Sequence, residues 1–226
     1  MHTRNRILPL ALLVGALSAQ PATAGIFSAA ADARLGYSLG AGALPSISFV
    51  HSPTTNLFDA ANGIATLTQD GNDFVLKSTV SGNGEVTDSN TESDLVITID
   101  NQTGNTVELT WLLSYSLDAS AAYALAGESA YAEAFIDLFT DGYLLSGDAD
   151  LNALLEADPD INGSPPNFAD SLSFRLELLN GDLVEIALTI GTYGYASGSA
   201  VPAPPVLALF GLGLGVLGWR QRRRVA

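Results

Sequence analysis

"TVELTWLLSYSL", Thr106 to Leu117, decides how this chain folds. Val107, Leu109, Trp111, Leu113, Tyr115 and Leu117 fall at every second position, with threonine, glutamate and serine mostly between them. A period of two belongs to an extended strand with one buried face; a helix would need apolar residues three and four apart. The stretch is a β-strand with its large side chains turned to a core.

The same rhythm extends outward. "SDLVITIDN" precedes it as a β-branched strand, and the polar "NQTGN" between them predicts a hairpin. Downstream, "SLSFRLELL" sets Leu172, Phe174, Leu176 and Leu178 on one face, and "LVEIALTI" does so with Val184, Ile186, Leu188 and Ile190. Asn180-Gly181 lies between these two runs, and both residues tolerate positive φ, which predicts a second hairpin. Shorter strands are expected at 46–50, 64–69 and 74–80, the last two joined by the turn Asp70-Gly71-Asn72. In "SAYAEAFIDLFT" (129–140) the alanines suit a helix and the aromatics a strand; flanking Gly-containing turns favour strand. One short helix is expected at "DADLNALLEA", where Leu151, Leu154 and Leu155 share a face and Asp148 can cap. About nine or ten strands, with turns every ~8–12 residues and little helix, predict an all-β chain: an antiparallel β-sandwich of jelly-roll type. It spans 25–195, followed by a flexible linker at 196–200 within "YASGSA".

The composition bounds the chemistry. The 226 residues include no cysteine, so disulfides and thiolate metal sites are excluded. All 24 acidic residues lie between Asp32 and Glu185, where Arg34, Lys77 and Arg175 are the only Lys or Arg residues. Such a body repels phosphate backbones and anionic lipid, so no nucleic-acid partner is expected. The same charge favours solubility and attraction of divalent cations.

Both ends read as addresses. In residues 1–24, two arginines precede an apolar run from Ile7 to Leu17, and Ala22 and Ala24 supply small residues before a cut after Ala24. That is the form of a secretory signal peptide handed to the Sec translocon. At the other end, Val206 to Trp219 is a run of 14 uncharged residues. As a helix it would measure about 21 Å against a hydrocarbon core of about 30 Å. It has no polar face and four glycines, which suits neither a soluble helix nor a comfortable permanent span. The signal helix and this hydrophobic helix are expected to lie outside the domain. Pro202, Pro204 and Pro205 hold the preceding segment extended.

Residues 201–226 resemble the PEP-CTERM sorting signal of Gram-negative bacteria. Val201, Pro202 and Pro204 match the usual Val-Pro-Glu-Pro motif, with Ala203 in the place of the glutamate. Trp219 and the cluster Arg220, Arg222, Arg223 and Arg224 match its membrane stop. The resemblance implies recognition by an exosortase during transient inner-membrane insertion, then release to the cell surface or outside. A tail anchor is the alternative.

Catalytic patterns are scarce. A Ser-His-Asp triad would have to use His51 in "VHSPTT", which reads as a loop residue at a strand end. Asp158, Asp160, Asn162 and Gly163 match the opening of a calcium loop, but Pro165, Pro166 and Ala169 break its second half. A looser calcium loop and a plain surface loop both remain open. Three functions follow in order. The first is a non-enzymatic exported protein acting in adhesion, matrix or biofilm assembly. The second is a calcium-dependent carbohydrate-binding module that presents Tyr131, Tyr143, Tyr193 and Tyr195 to extracellular polysaccharide. The last is a secreted hydrolase.

Overall fold

A computed structural model describes residues 25–58, 61–83, 86–123 and 128–198. The expected signal helix, the sorting motif and the hydrophobic C-terminal helix lie outside the described residues. Eleven strands make up the architecture: β1 (Ile26–Ala41), β2 (Ser46–Asn56), β3 (Asn62–Asp70), β4 (Asp73–Asn83), β5 (Val86–Asp100), β6 (Val107–Ala122), β7 (Ser129–Thr140), β8 (Tyr143–Ser146), β9 (Leu151–Ala157), β10 (Phe168–Leu178) and β11 (Leu183–Ser197). They form a six-stranded sheet in the order β3-β4-β1-β6-β10-β8 and a five-stranded sheet in the order β2-β5-β11-β7-β9. Every pairing is antiparallel, and the two sheets pack face to face as a β-sandwich.

The alternation predicted for Val107 to Leu117 holds residue by residue, since all six apolar side chains are buried. Trp111 lies at the centre, its indole parallel to Phe174 with centroids 6.3 Å apart and tilted against Tyr37 at 5.0 Å. Leu172 is partly buried, and Phe174, Leu176, Leu178 and Val184 through Ile190 on alternate positions line the same core. Toward one end the inner faces become alanine: Ala29, Ala31 and Ala33 on β1, Ala119 and Ala121 on β6, Ala130, Ala132 and Ala134 on β7. Small side chains let the sheets approach closely there. Gly194 on β11 meets the ring of Phe27 so tightly that a Cβ would fall 2.2 Å from Phe27 Cδ2.

The core is not wholly apolar. Ser78, Thr91 and Thr192 are buried with their hydroxyls mutually 2.6, 2.9 and 3.2 Å apart. Ser78 Oγ donates to the Thr91 carbonyl and Thr91 Oγ1 to the Thr79 carbonyl, which leaves the Thr192 hydroxyl free to donate to its neighbours. Each hydroxyl therefore has a partner, as burial in a low-dielectric core requires.

Four expectations need correction. The two predicted hairpins are corners: β5 and β6 belong to opposite sheets, as do β10 and β11. Residues 151–157 form strand β9, not a helix. Leu151, Ala153 and Leu155 turn to the core, Leu154 faces out, and pairing with β7 supplies the hydrogen bonds that an isolated short helix lacks. Asp148 Oδ1 accepts the Asp150 N–H as a local turn rather than a helix cap. His51 lies within β2 on the core-facing side, not in a loop. Finally, β11 continues through the buried Ala196 to Ser197, two residues into the expected linker.

Candidate functional site

The outer face of the five-stranded sheet brings tyrosines and carboxylates together. Strand register fixes the lattice across β5, β11, β7 and β9. Tyr195 is opposite Tyr131 in the first row. Asn90, Tyr193, Glu133 and Glu156 form the next, then Glu92, Gly191, Phe135 and Leu154, then Asp94, Thr189, Asp137 and Asn152. At about 3.3 Å per residue and about 4.8 Å between strands, this patch measures roughly 20 by 14 Å.

The three tyrosine rings touch one another. Tyr131 and Tyr195 stack with centroids 5.8 Å apart, and Tyr193 lies 5.9 Å from Tyr131 and 6.4 Å from Tyr195 at tilted angles. Two of the three hydroxyls are anchored by carboxylates. Tyr131 Oη lies 2.7 Å from Glu133 Oε2 and 2.8 Å from Glu156 Oε1, and the Tyr193 hydroxyl donates to Asp88 Oδ1 at 2.6 Å. Burial and these carboxylate acceptors push both phenols well above the usual tyrosine range. Both stay protonated at neutral pH, hydrogen-bond donors with fixed rings.

Asp88 is the one non-glycine residue with positive φ (27°) among the described residues. It lies at a break in the β5–β11 register between Gly194 and Ala196. A bulge of this kind re-aims a side chain, and here the Asp88 carboxylate accepts from the Tyr193 hydroxyl. One row further, Gly191 leaves room for the Phe135 ring to lie across the strand; a Cβ there would fall 2.3 Å from Phe135 Cζ. Glu92 is partly buried, and burial together with the nearby charges of Asp94 and Asp137 raises its carboxyl pKa. Thr189 donates to Asp94 Oδ1 at 2.7 Å, and the Asn152 amide donates to Asp137.

Of the four tyrosines expected on one sheet face, three assemble. Tyr143 is 71% exposed on β8, in the other sheet. The loop of Asp158, Asp160 and Asn162 leaves β9 just beyond Glu156 and closes through a bridge between Asp158 and Gly163. Its side-chain oxygens are engaged internally. Asp158 Oδ1 accepts Asp160 N–H at 2.9 Å, Asn162 Oδ1 accepts Asp158 N–H at 2.8 Å, and Asp160 accepts the Tyr123 hydroxyl. Among the described residues no group of three His, Asp or Glu side chains is arranged to hold a metal. His51 Nε2 lies 2.7 Å from Ser93 Oγ, but Ser93 is fully buried, where no substrate carbonyl could reach its hydroxyl. Val201, Pro202, Ala203, Pro204, Trp219 and the terminal arginines lie outside the described residues.

The outer face of the other sheet differs. It carries Arg34, Lys77 and Arg175, each paired with a carboxylate: Asp73, Asp32 at 3.2 Å, and Glu108. An open groove of about 360 Å³ crosses this face over Gly36 beside the Arg34–Asp73 pair. The chain matches no protein-family model and no curated protein. Among the described residues no helix is long and apolar enough to cross a membrane.

The sequence missed Asp88, Glu92, Asp94, Glu133, Asp137 and Glu156 as partners of the tyrosines. Their outward positions were available from the alternation, but which strands lie side by side was not.

Proposed function

We propose that this chain is an exported, non-enzymatic surface or matrix protein that holds extracellular polysaccharide on the outer face of its five-stranded sheet. The observation that carries the reading is the cluster of Tyr131, Tyr193 and Tyr195, three mutually packed rings on the outer sheet face, two of them with hydroxyls anchored by carboxylates. Aromatic rings held rigid in this way offer stacking area to the apolar faces of sugar rings at small entropic cost, and the surrounding carboxylates accept from sugar hydroxyls. Affinity electrophoresis of the full chain in gels containing soluble polysaccharides tests this. Tyr193→Ala combined with Tyr195→Ala should remove the retardation, with about a tenfold or greater loss of affinity. Retention of the wild-type shift by a folded double variant would overturn the reading.

The jelly-roll description belongs to this proposal. It is supported by two nested ribbons: β3–β4, β2–β5 and β1–β6 in the first, and β7–β9, β6–β10 and β5–β11 in the second. Repeating the electrophoresis with and without calcium separates a calcium-dependent module from a calcium-independent one. A calcium requirement would mean that Asp158, Asp160 and Asn162 exchange their internal hydrogen bonds for the ion.

Delivery follows from the termini. The resemblance of residues 201–226 to an exosortase signal, with Val201, Pro202, Ala203 and Pro204 as the motif, supports sorting to the outside after Sec export. In a host with an exosortase, the intact mass of the extracellular form should lack residues 1–24 and the segment containing Trp219 and the arginines. Full-length protein retained in the inner membrane would leave a tail anchor instead.

A further inference from the structure

We infer that the tyrosine face selects polysaccharides bearing free amino groups, such as polymers of de-N-acetylated hexosamine, over neutral ones. The inference rests on the polysaccharide-holding reading above and narrows it.

Charge is partitioned between the two faces of the sandwich. Arg34, Lys77 and Arg175, the three cationic side chains of the described residues, all lie on the outer face of the six-stranded sheet, each beside a carboxylate. The tyrosine face has carboxylates on each of β5, β7 and β9 and, among the described residues, no Lys or Arg to answer them.

Hydrogen-bond accounting on this face leaves acceptors in surplus. Tyr131 has one hydroxyl hydrogen and two carboxylates within reach, Glu133 at 2.7 Å and Glu156 at 2.8 Å, so it cannot fully satisfy both. Glu92, one row along on β5, is partly buried beside Asp94; burial first, and then the neighbouring carboxylates Asp94 and Asp137, raise its carboxyl pKa. A neutral sugar hydroxyl brings one donor. A protonated sugar amine brings three donors and a charge, and makes the shorter, stronger hydrogen bonds of an ionised donor. The tyrosine rings add attraction for the same group, because an ammonium is drawn to the face of an aromatic ring. A linear polymer that stacks its rings on the tyrosines and carries an amine on each residue therefore meets both features of the face at once.

The test is calorimetric titration of the full chain at a pH where the sugar amines are protonated. The probes are glucosamine hexamer, its N-acetylated counterpart, a neutral glucose hexamer and a lysine hexamer. The glucosamine hexamer should bind at least about tenfold more tightly than either uncharged sugar, as one or two charge-assisted contacts would give. The advantage should shrink at high salt. Glu92→Gln with Glu133→Gln should bring glucosamine affinity down toward that of the acetylated oligomer, in a protein whose thermal transition shows it is folded. Equal binding of all three sugars would overturn the amine preference while leaving the polysaccharide reading intact. A lysine hexamer that matched the glucosamine hexamer would overturn it as well, since charge alone would then suffice. If no sugar bound, both readings would fall.

Discussion

Trp111→Ala should lower the unfolding free energy by about 3–5 kcal/mol, and Trp111→Phe by less than half of that. Trp111 has no exposed surface and packs against Phe174 and Tyr37 at the wide end of the core. Truncation to alanine loses the transfer free energy of the largest side chain and leaves a cavity that fixed strands on both sides cannot collapse. The loss is a large part of the ~5–15 kcal/mol that holds a typical domain together. Phenylalanine differs for a specific reason. The indole Nε1–H is buried with no hydrogen-bond partner among the described residues, a cost of about 1–3 kcal/mol that the native protein already carries. Removing that N–H offsets part of the packing lost when the ring shrinks. Urea unfolding followed by circular dichroism gives both values. If the two variants were equally destabilised, the indole N–H would have a partner or the site would not be close-packed.

How much of this was readable beforehand divides along one physical line. Inward-facing residues were legible because alternation is local: burial of one strand face leaves its mark on that strand alone. Val107 to Leu117 and Val184 to Ile190 are the clear cases. Strand β1 escaped because its inward positions Ala29, Ala31 and Ala33 are small and intrinsically poor strand formers. They fit because the facing positions carry Ala130, Ala132 and Gly194, a complementarity that exists only after folding. The helix expected at 148–157 failed for a related reason. Leu151 and Leu155 fit both periods while Leu154 fits only the helical one, and pairing of β9 with β7 set the outcome by turning Leu154 outward. The tyrosine face was half legible. Tyr131, Tyr193 and Tyr195 stood out as residues, but their meeting depends on the β7–β11 register, as does the approach of Glu133 and Glu156. The positive φ of Asp88 left no mark in composition at all.

The two corners look like hairpins in sequence but pass the chain between sheets. Both "NQTGN" and "NGD" have the turn chemistry of hairpins, with Gly104 at φ 81° and Gly181 at φ 93°. Local chemistry sets how sharply the chain turns, not which sheet the next strand joins. What holds the crossing is Asn101. It is fully buried, and its amide Nδ2 lies 2.9 Å from the Asn105 carbonyl, 2.9 Å from that of Leu178 and 3.0 Å from that of Leu179. Its Oδ1 accepts the Thr103 hydroxyl at 2.7 Å and the Thr103 N–H at 3.2 Å. Its backbone pairs with Asp182 and Gly181, so one residue clasps both corners. Asn101→Ala should therefore cost about 2–4 kcal/mol, because it strands carbonyls of two corners and the Thr103 donors together. Asn180→Ala removes a single exposed bond to Gly104 N–H and should cost about 0.5–1 kcal/mol. Asn101→Asp sharpens the test. It keeps the acceptor for Thr103 but sets a carboxylate against three carbonyls, which raises its pKa in the folded state above the unfolded value. A raised carboxyl contributes its stability below the unfolded pKa and loses it as pH rises through the folded pKa. The Asp variant should thus recover part of its deficit relative to wild type in acid and be at its worst at neutral pH. If Asn101→Ala and Asn180→Ala unfolded at the same urea concentration, the clasp would be ornamental. The sheet crossing would then be held by the flanking strands alone.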